Sequence, residues 1–201
     1  MISALEAQDL TVARGGRVLF ERLSFRVEAG EALALTGPNG AGKTSLLRAL
    51  AGLLRPAAGT VRYRGAEPDR TSQSLHWLGW QDGLKGQRTA ADELRFWARW
   101  AGESSPRVAE VLDRFGLAAC ADLETRRLSA GQRRRLALAR LSAPPRPVWL
   151  LDEPLAPLDA VWRDRMGELM REHLAGGGLI IAAVHDPLPL SARTLDLGVA
   201  A

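Results

Sequence analysis

Eight consecutive residues, Gly37-Pro38-Asn39-Gly40-Ala41-Gly42-Lys43-Thr44, follow the pattern G-x-x-x-x-G-K-[ST], and Ser45 continues the run. Glycines in such a loop let the backbone wrap closely around an anion. Successive N–H groups and the positive end of the following helix then converge on the β- and γ-phosphates of a nucleotide. Lys43 adds a point charge, and the Thr44 hydroxyl can ligate Mg²⁺. Lysine is otherwise scarce: of 27 Lys and Arg residues only Lys43 and Lys85 are lysines, which sets apart the one inside the loop. These residues point to a nucleoside triphosphate, but by themselves they fit a kinase as well as a GTPase.

A second group of residues narrows the chemistry. Trp149-Leu150-Leu151-Asp152-Glu153-Pro154 is an apolar strand ending in two acids. Beside the phosphate loop, Asp152 is placed to hold Mg²⁺, directly or through water. Glu153 faces the γ-phosphate, where a carboxylate can polarise an attacking water. Standing alone, the pair also fits an exposed strand end before a turn. In Leu128-Ser129-Ala130-Gly131-Gln132, Ser129 and Gln132 have capping-box spacing, so a helix should open there with free N–H groups, an anion site as much as an ordinary cap.

Positioning these groups requires strands that end at one edge, followed by helices. Residues 10–36 read as strands, with Leu10/Val12 and Leu23/Phe25/Val27 alternating and Ala32 to Leu35 apolar throughout, as in a strand buried on both faces. A helix from about 43 to 54 follows the loop, then strands at 61–64 and 75–78. Between about 85 and 141 helical spacing takes over. Ser105 with Pro106 starts one helix there, with Val108, Val111, Leu112 and Phe115 on one face and Gly116 at its end. The proline-rich stretch 143–147 closes this helical part. A strand at 148–151, a helix from about 159 to 175 and a strand at 179–184 then make a β-α-β unit. The expectation is an α/β chain, one domain over residues 1–201.

Composition sets the outer limits. With 46% hydrophobic and 25% charged residues the chain should fold. Cys120, the only cysteine, excludes an intrachain disulfide and a cysteine-based metal cluster and reads as a small buried residue. Met1 to Leu10 lacks the basic and apolar regions of a secretory signal, and no apolar run approaches the roughly 18 residues of a membrane span. The net charge of +4 and the run Arg133-Arg134-Arg135 raise a nucleic-acid role, against which the arginines read as a solvated helix face.

Taken together, these motifs resemble the ATP-binding-cassette (ABC) family, whose signature LSGGQ here reads LSAGQ. The resemblance implies a P-loop NTPase fold of ABC type: a mostly parallel core sheet, an antiparallel β subdomain and a helical subdomain at about 85–141. It implies an ATPase using ATP and Mg²⁺, in which two copies sandwich two ATP molecules head to tail. Residues 37–45 would hold the nucleotide of their own copy, while Leu128, Ser129, Ala130, Gly131 and Gln132 face the nucleotide of the other. Thr44, Asp152 and Gln81 would serve the metal. Glu153, His185 and Gln81 would be catalytic, and Asp159 would reach across the pair. His76 and His173 have no such position. Arg14 stands where the family often has an adenine-stacking aromatic, and a guanidinium plane can also stack.

Leu78-Gly79-Trp80-Gln81-Asp82-Gly83-Leu84-Lys85, Glu93 to Trp97, Pro147 to Pro154 and Ile181 to Leu188 are similar to the CcmA family, the short haem-exporter ATPases of cytochrome c maturation. That implies membrane partners resembling CcmB and CcmC, no direct contact with nucleic acid, and a peripheral place on the cytoplasmic face of a bacterial inner membrane. Synthesis ending in the cytoplasm agrees with this. An ATPase for another exported solute is the alternative, and a ribosome- or DNA-associated ATPase a more distant one.

Overall fold

The computed structural model describes residues 2–66, 71, 73–103 and 107–198. Its strands are Ala4–Arg14 (β1), Arg17–Glu28 (β2), Ala32–Thr36 (β3), Ala58–Arg64 (β4), Leu75–Leu78 (β5), Val148–Asp152 (β6), Leu179–Ala183 (β7) and Arg193–Asp196 (β8). The α-helices are Lys43–Leu50 (α1), Ala90–Trp100 (α2), Val108–Arg114 (α3), Ala130–Ala139 (α4) and Ala160–Ala175 (α5). The five strands β5-β6-β7-β3-β8 pair in parallel in that order. The other three form an antiparallel sheet, β2-β1-β4. The parallel core, the antiparallel part and the helical part expected from the sequence are all present.

The continuous apolar runs are buried on both faces because each face has its own cover. Leu33, Leu35, Val148, Leu150, Leu179 and Ile181 pack with α1 residues Leu46, Leu47 and Leu50 and with Leu5, Leu10, Val12 and Phe20 of the antiparallel sheet. Trp149, Leu151, Ile180 and Ala182 face the other way, onto Leu94 of α2, Leu136 of α4 and Met166 of α5. Each fully buried leucine or isoleucine contributes about 1.5–3 kcal/mol. The consequence for function is rigidity: α1 lies between two sheets, so the loop that starts it cannot drift.

Three elements differ from the sequence reading. β1 begins at Ala4 rather than near Leu10, because Ala4 and Ala7 are buried yet too small to mark an alternation, and a register shift at Asp9 (φ 47) breaks the pattern. α1 ends at Leu50, not Leu54. β8 has no apolar run to announce it: of its four residues only Leu195 is partly buried, and the strand is held by pairing with β3. The expected start of a helix at Ser105 and Pro106 lies outside the described residues. α3 carries the rest of it, and Gly116 turns the chain beyond the end of that helix. Cys120 is buried, as expected.

Candidate active site

The phosphate loop joins β3 to α1. Two of its glycines are required by geometry. At Gly37 φ is +123, and a Cβ there would stand 3.0 Å from the Gly198 nitrogen and 3.2 Å from an Asp196 carboxylate oxygen. At Gly42, the N-cap of α1, φ is +102 and a Cβ would press on Phe20 of β2 at 3.2 Å. Both backbones need a residue without a side chain. Lys43 opens α1 and is only 8% exposed. Its Nζ donates to the Gly37 carbonyl at 2.6 Å and the Pro38 carbonyl at 3.4 Å, which curls the ammonium back over the loop.

The second strand meets the loop side by side. Asp152, at the end of β6 and 4% exposed, accepts a 2.9 Å hydrogen bond from the Thr44 hydroxyl. Glu153 then takes a left-handed backbone (φ 48), with its N–H on the Ala183 carbonyl at the end of β7. Such a conformation is uncommon for a residue with a side chain. The turn brings the Glu153 carboxylate within 3.4 Å of His185 Nε2, just beyond β7. Burial raises the Glu153 carboxyl above its ordinary value; His185 and Lys43 pull it back in part, and Asp152 adds to the rise.

Lys43, Thr44, Asp152, Glu153 and His185 thus line one cleft of about 530 Å³, with Arg14 and Leu19 at its antiparallel-sheet side. Gln81 is exposed and lies outside that lining. Its neighbour Trp80 lines the cleft instead, with 65% of its surface exposed. The family motif directs attention to the glutamine and gives no mark to the tryptophan beside it.

Away from the cleft, Ser129 caps α4 in a full capping box: its side chain accepts from the Gln132 N–H, and the Gln132 side chain accepts from the Ser129 N–H. Gln132 also donates to the Cys120 sulfur at 3.3 Å, and Leu128 is buried. Those two side chains therefore anchor the segment from below, while Ser129 and Ala130 are exposed and Gly131 is partly so. Asp159 caps α5 through Trp162 N–H at 2.9 Å.

The three arginines that follow overturn one expectation. They are not a solvated face. Arg134 is 2% exposed. Arg133 donates to the Leu128 carbonyl, and Arg135 donates to the Phe115 and Gly116 carbonyls and lies 4.3 Å over the Trp162 ring. Helix α4 is packed from several sides, and consecutive residues on a helix point about 100° apart, so three in a row cannot share one outer face.

The ABC transporter family profile matches residues 20–156. The cytochrome c biogenesis ATP-binding export protein CcmA of Rhodopseudomonas palustris (strain BisB5) is 50% identical over 198 residues, 98% of this chain and 99% of that one. CcmA of Nitrobacter winogradskyi is 48% identical over 198 residues, again 98% and 99% of the two chains. The fold matches that of a putative ABC transporter ATP-binding protein from Pyrococcus furiosus, with TM-score 0.85 at 24% identity over 97% of this chain and 98% of that one. On its motifs, its fold and these relatives, the chain belongs to the ABC transporter family and, within it, to the CcmA cytochrome c biogenesis ATP-binding export proteins.

Proposed function

We propose that this chain is the ATP-hydrolysing subunit of the haem exporter of cytochrome c biogenesis, and that it works as a head-to-tail pair. The observation that supports this best is the single cleft holding Lys43, Thr44, Asp152, Glu153 and His185 in a chain half identical to a CcmA protein. In this reading residues 1–201 act as one nucleotide-binding domain, with 85–141 as its helical part. Residues 37–45 cradle the phosphates through backbone N–H groups, and Lys43 supplies the fixed positive charge.

The Thr44 hydroxyl and Asp152 carboxylate, 2.9 Å apart, are hard oxygen donors of the kind Mg²⁺ takes alongside phosphate oxygens and water. They would hold it, with Gln81, next to the cleft-lining Trp80, approaching from the side. When bound, Mg²⁺ offsets the charge on the β- and γ-phosphate oxygens. Glu153 accepts a proton from the attacking water, and His185 donates a hydrogen bond toward the γ-phosphate. Ser129 and Gly131 of a second copy complete the site, with Asp159 at the seam. No helix among the described residues is long and apolar enough to cross a membrane. Membrane subunits resembling CcmB and CcmC would therefore carry the passage, with this chain peripheral on the cytoplasmic face of the inner membrane.

Glu153→Gln tests the site. General-base catalysis contributes about 10²–10⁴-fold, so turnover should fall by at least about 10²-fold while an ATP-bound dimer accumulates in size-exclusion chromatography. Near-normal turnover removes Glu153 from the base role. For the export function, cells without the gene should lack haem-loaded c-type cytochromes, restored by the wild-type chain and not by Glu153→Gln. Restoration by that variant would separate the ATPase from the pathway.

A further inference from the structure

The end of β6 poses a hydrogen-bonding problem. Asp152 closes β6 and Glu153 turns left-handed directly after it, so the carbonyls of Asp152, Glu153 and Pro154 follow one another where the strand ends. A carbonyl left without a donor inside a fold is costly. One side chain answers all three. Arg134 of α4 donates from Nε to the Pro154 carbonyl at 3.0 Å, and from Nη2 to the carbonyls of Asp152 at 2.9 Å and Glu153 at 2.6 Å. Its Nη1 donates to the Gly79 carbonyl and to an Asp82 carboxylate oxygen, both at 3.1 Å. A guanidinium carries five N–H groups in a rigid fork. Here it meets five acceptors, drawn from the turn that holds Glu153 and from the 79–82 segment.

We infer that Arg134 is a positioning residue for hydrolysis: it locks the backbone turn that aims Glu153 into the cleft and joins that turn to residues 79–82 and to the signature helix. The inference rests on the base role proposed above for Glu153. Its shape is specific. Lysine keeps the charge but has three donors on one point, and cannot span acceptors on two separate loops. Arg134 is absent from the lining of the nucleotide cleft and lines an adjoining hollow beside Glu153 and Trp80. Replacing it should therefore leave ATP binding largely intact and slow the chemical step. α4 also places Arg134 five residues after Ser129, so the helix that would meet the partner's nucleotide is the same one that grips the turn carrying this copy's Glu153.

The test compares the full-length wild type with Arg134→Lys, Glu153→Gln, the double variant and Asp82→Asn, each measured for ATP affinity, kcat, KM and single-turnover hydrolysis. Misplacing a reacting group by about 1 Å costs about 10²-fold, so Arg134→Lys should lower kcat by about 10-fold or more with KM within about three-fold. In the Glu153→Gln background the same replacement should change single-turnover hydrolysis by less than about two-fold, because the group it positions is already gone. Wild-type kcat in Arg134→Lys overturns the inference. So does a further tenfold loss in the double variant, or a parallel loss of ATP affinity, each of which marks a general structural role. If Arg134→Lys does not fold, Asp82→Asn leaves the guanidinium on its four carbonyls and should still lower kcat about three-fold at constant KM; an unchanged kcat there breaks the link to residues 79–82. Full turnover in Glu153→Gln sinks the base reading itself. An inactive Glu153→Gln beside a fully active Arg134→Lys sinks this inference alone.

Discussion

Two buried cations, Lys43 and Arg134, differ in what surrounds them. Lys43 is 8% exposed and donates to two carbonyls of its own loop, Gly37 and Pro38. Arg134 is 2% exposed and meets five acceptors with five N–H groups. Lys43 has three donors and sits among N–H groups that a bound phosphate can share. Burial alone therefore does not identify a ligand-binding cation. The count of donors against protein acceptors does: a saturated guanidinium holds the fold's geometry, and an ammonium bonded only within its own loop can turn outward.

Removing each cation in turn separates the two roles. Arg134→Ala removes a buried cation and leaves four carbonyls and the Asp82 carboxylate without it, a change that costs about 3–5 kcal/mol. At about 2–4 °C per kcal/mol for a chain of this size, the melting temperature should fall by about 6–20 °C in calorimetry. Lys43→Ala should move the melting temperature by only a few degrees. It should weaken ATP binding by about 10²-fold, close to 2.7 kcal/mol, and abolish the stabilisation that added ATP gives the wild type. If Lys43→Ala destabilised the chain as strongly as Arg134→Ala while still binding ATP, the distinction drawn from donor counts would collapse.

The same difference explains what the sequence made legible. Lys43 and Thr44 can be read from spacing because a phosphate loop needs them at fixed offsets from its glycines. Asp152 follows from an apolar run ending in acid. Arg134 carries no such mark: four of its five acceptors are backbone carbonyls at positions 79, 152, 153 and 154, and any residue type supplies a carbonyl. The available signal was rotational, since Arg133, Arg134 and Arg135 cannot all face outward from one helix. β8 was illegible for a related reason, being held by backbone pairing with β3 and not by an apolar pattern. Gln81 shows the opposite case. The motif names the residue, but the fold puts Trp80 at the cleft.

Two titratable groups sharpen the contrast between site and scaffold. His76 of β5 bonds the Pro144 carbonyl at 2.8 Å, and burial, aided by Arg146 and Arg140, lowers its pKa to about 4. The unfolded chain takes up that proton near pH 6.5, so between about pH 6.5 and 4 the unfolded state binds more protons and stability falls as pH falls. The loss over that window is about 3 kcal/mol. It should be largely absent in His76→Gln, measured as the pH slope of unfolding free energy; an unchanged slope would place the titration elsewhere. Glu153 is shifted the other way, upward, and acts on turnover. The base must be ionised, so kcat should be lost as pH falls through a midpoint above the ordinary carboxylate value of 4.5. A midpoint at or below that value counts against burial as the governing influence on Glu153.

The smallest expected effect tests the far side of the cleft. Arg14 ends β1, is exposed, and lines the same cleft as Lys43. A guanidinium stacked on a ring at an exposed site contributes about 0.5–1 kcal/mol. If Arg14 meets the base, Arg14→Ala should raise the Kd for ATP about two- to five-fold, and Arg14→Tyr should recover it, since an aromatic ring offers the same stacking plane. Inorganic tripolyphosphate, which has the phosphates and no base, separates the two cations by what they touch. Lys43→Ala should weaken tripolyphosphate as much as ATP, and Arg14→Ala should leave it unchanged. Equal losses for ATP and tripolyphosphate in Arg14→Ala would make Arg14 a second phosphate contact, and base recognition would then fall to Leu19 and the strand beside it.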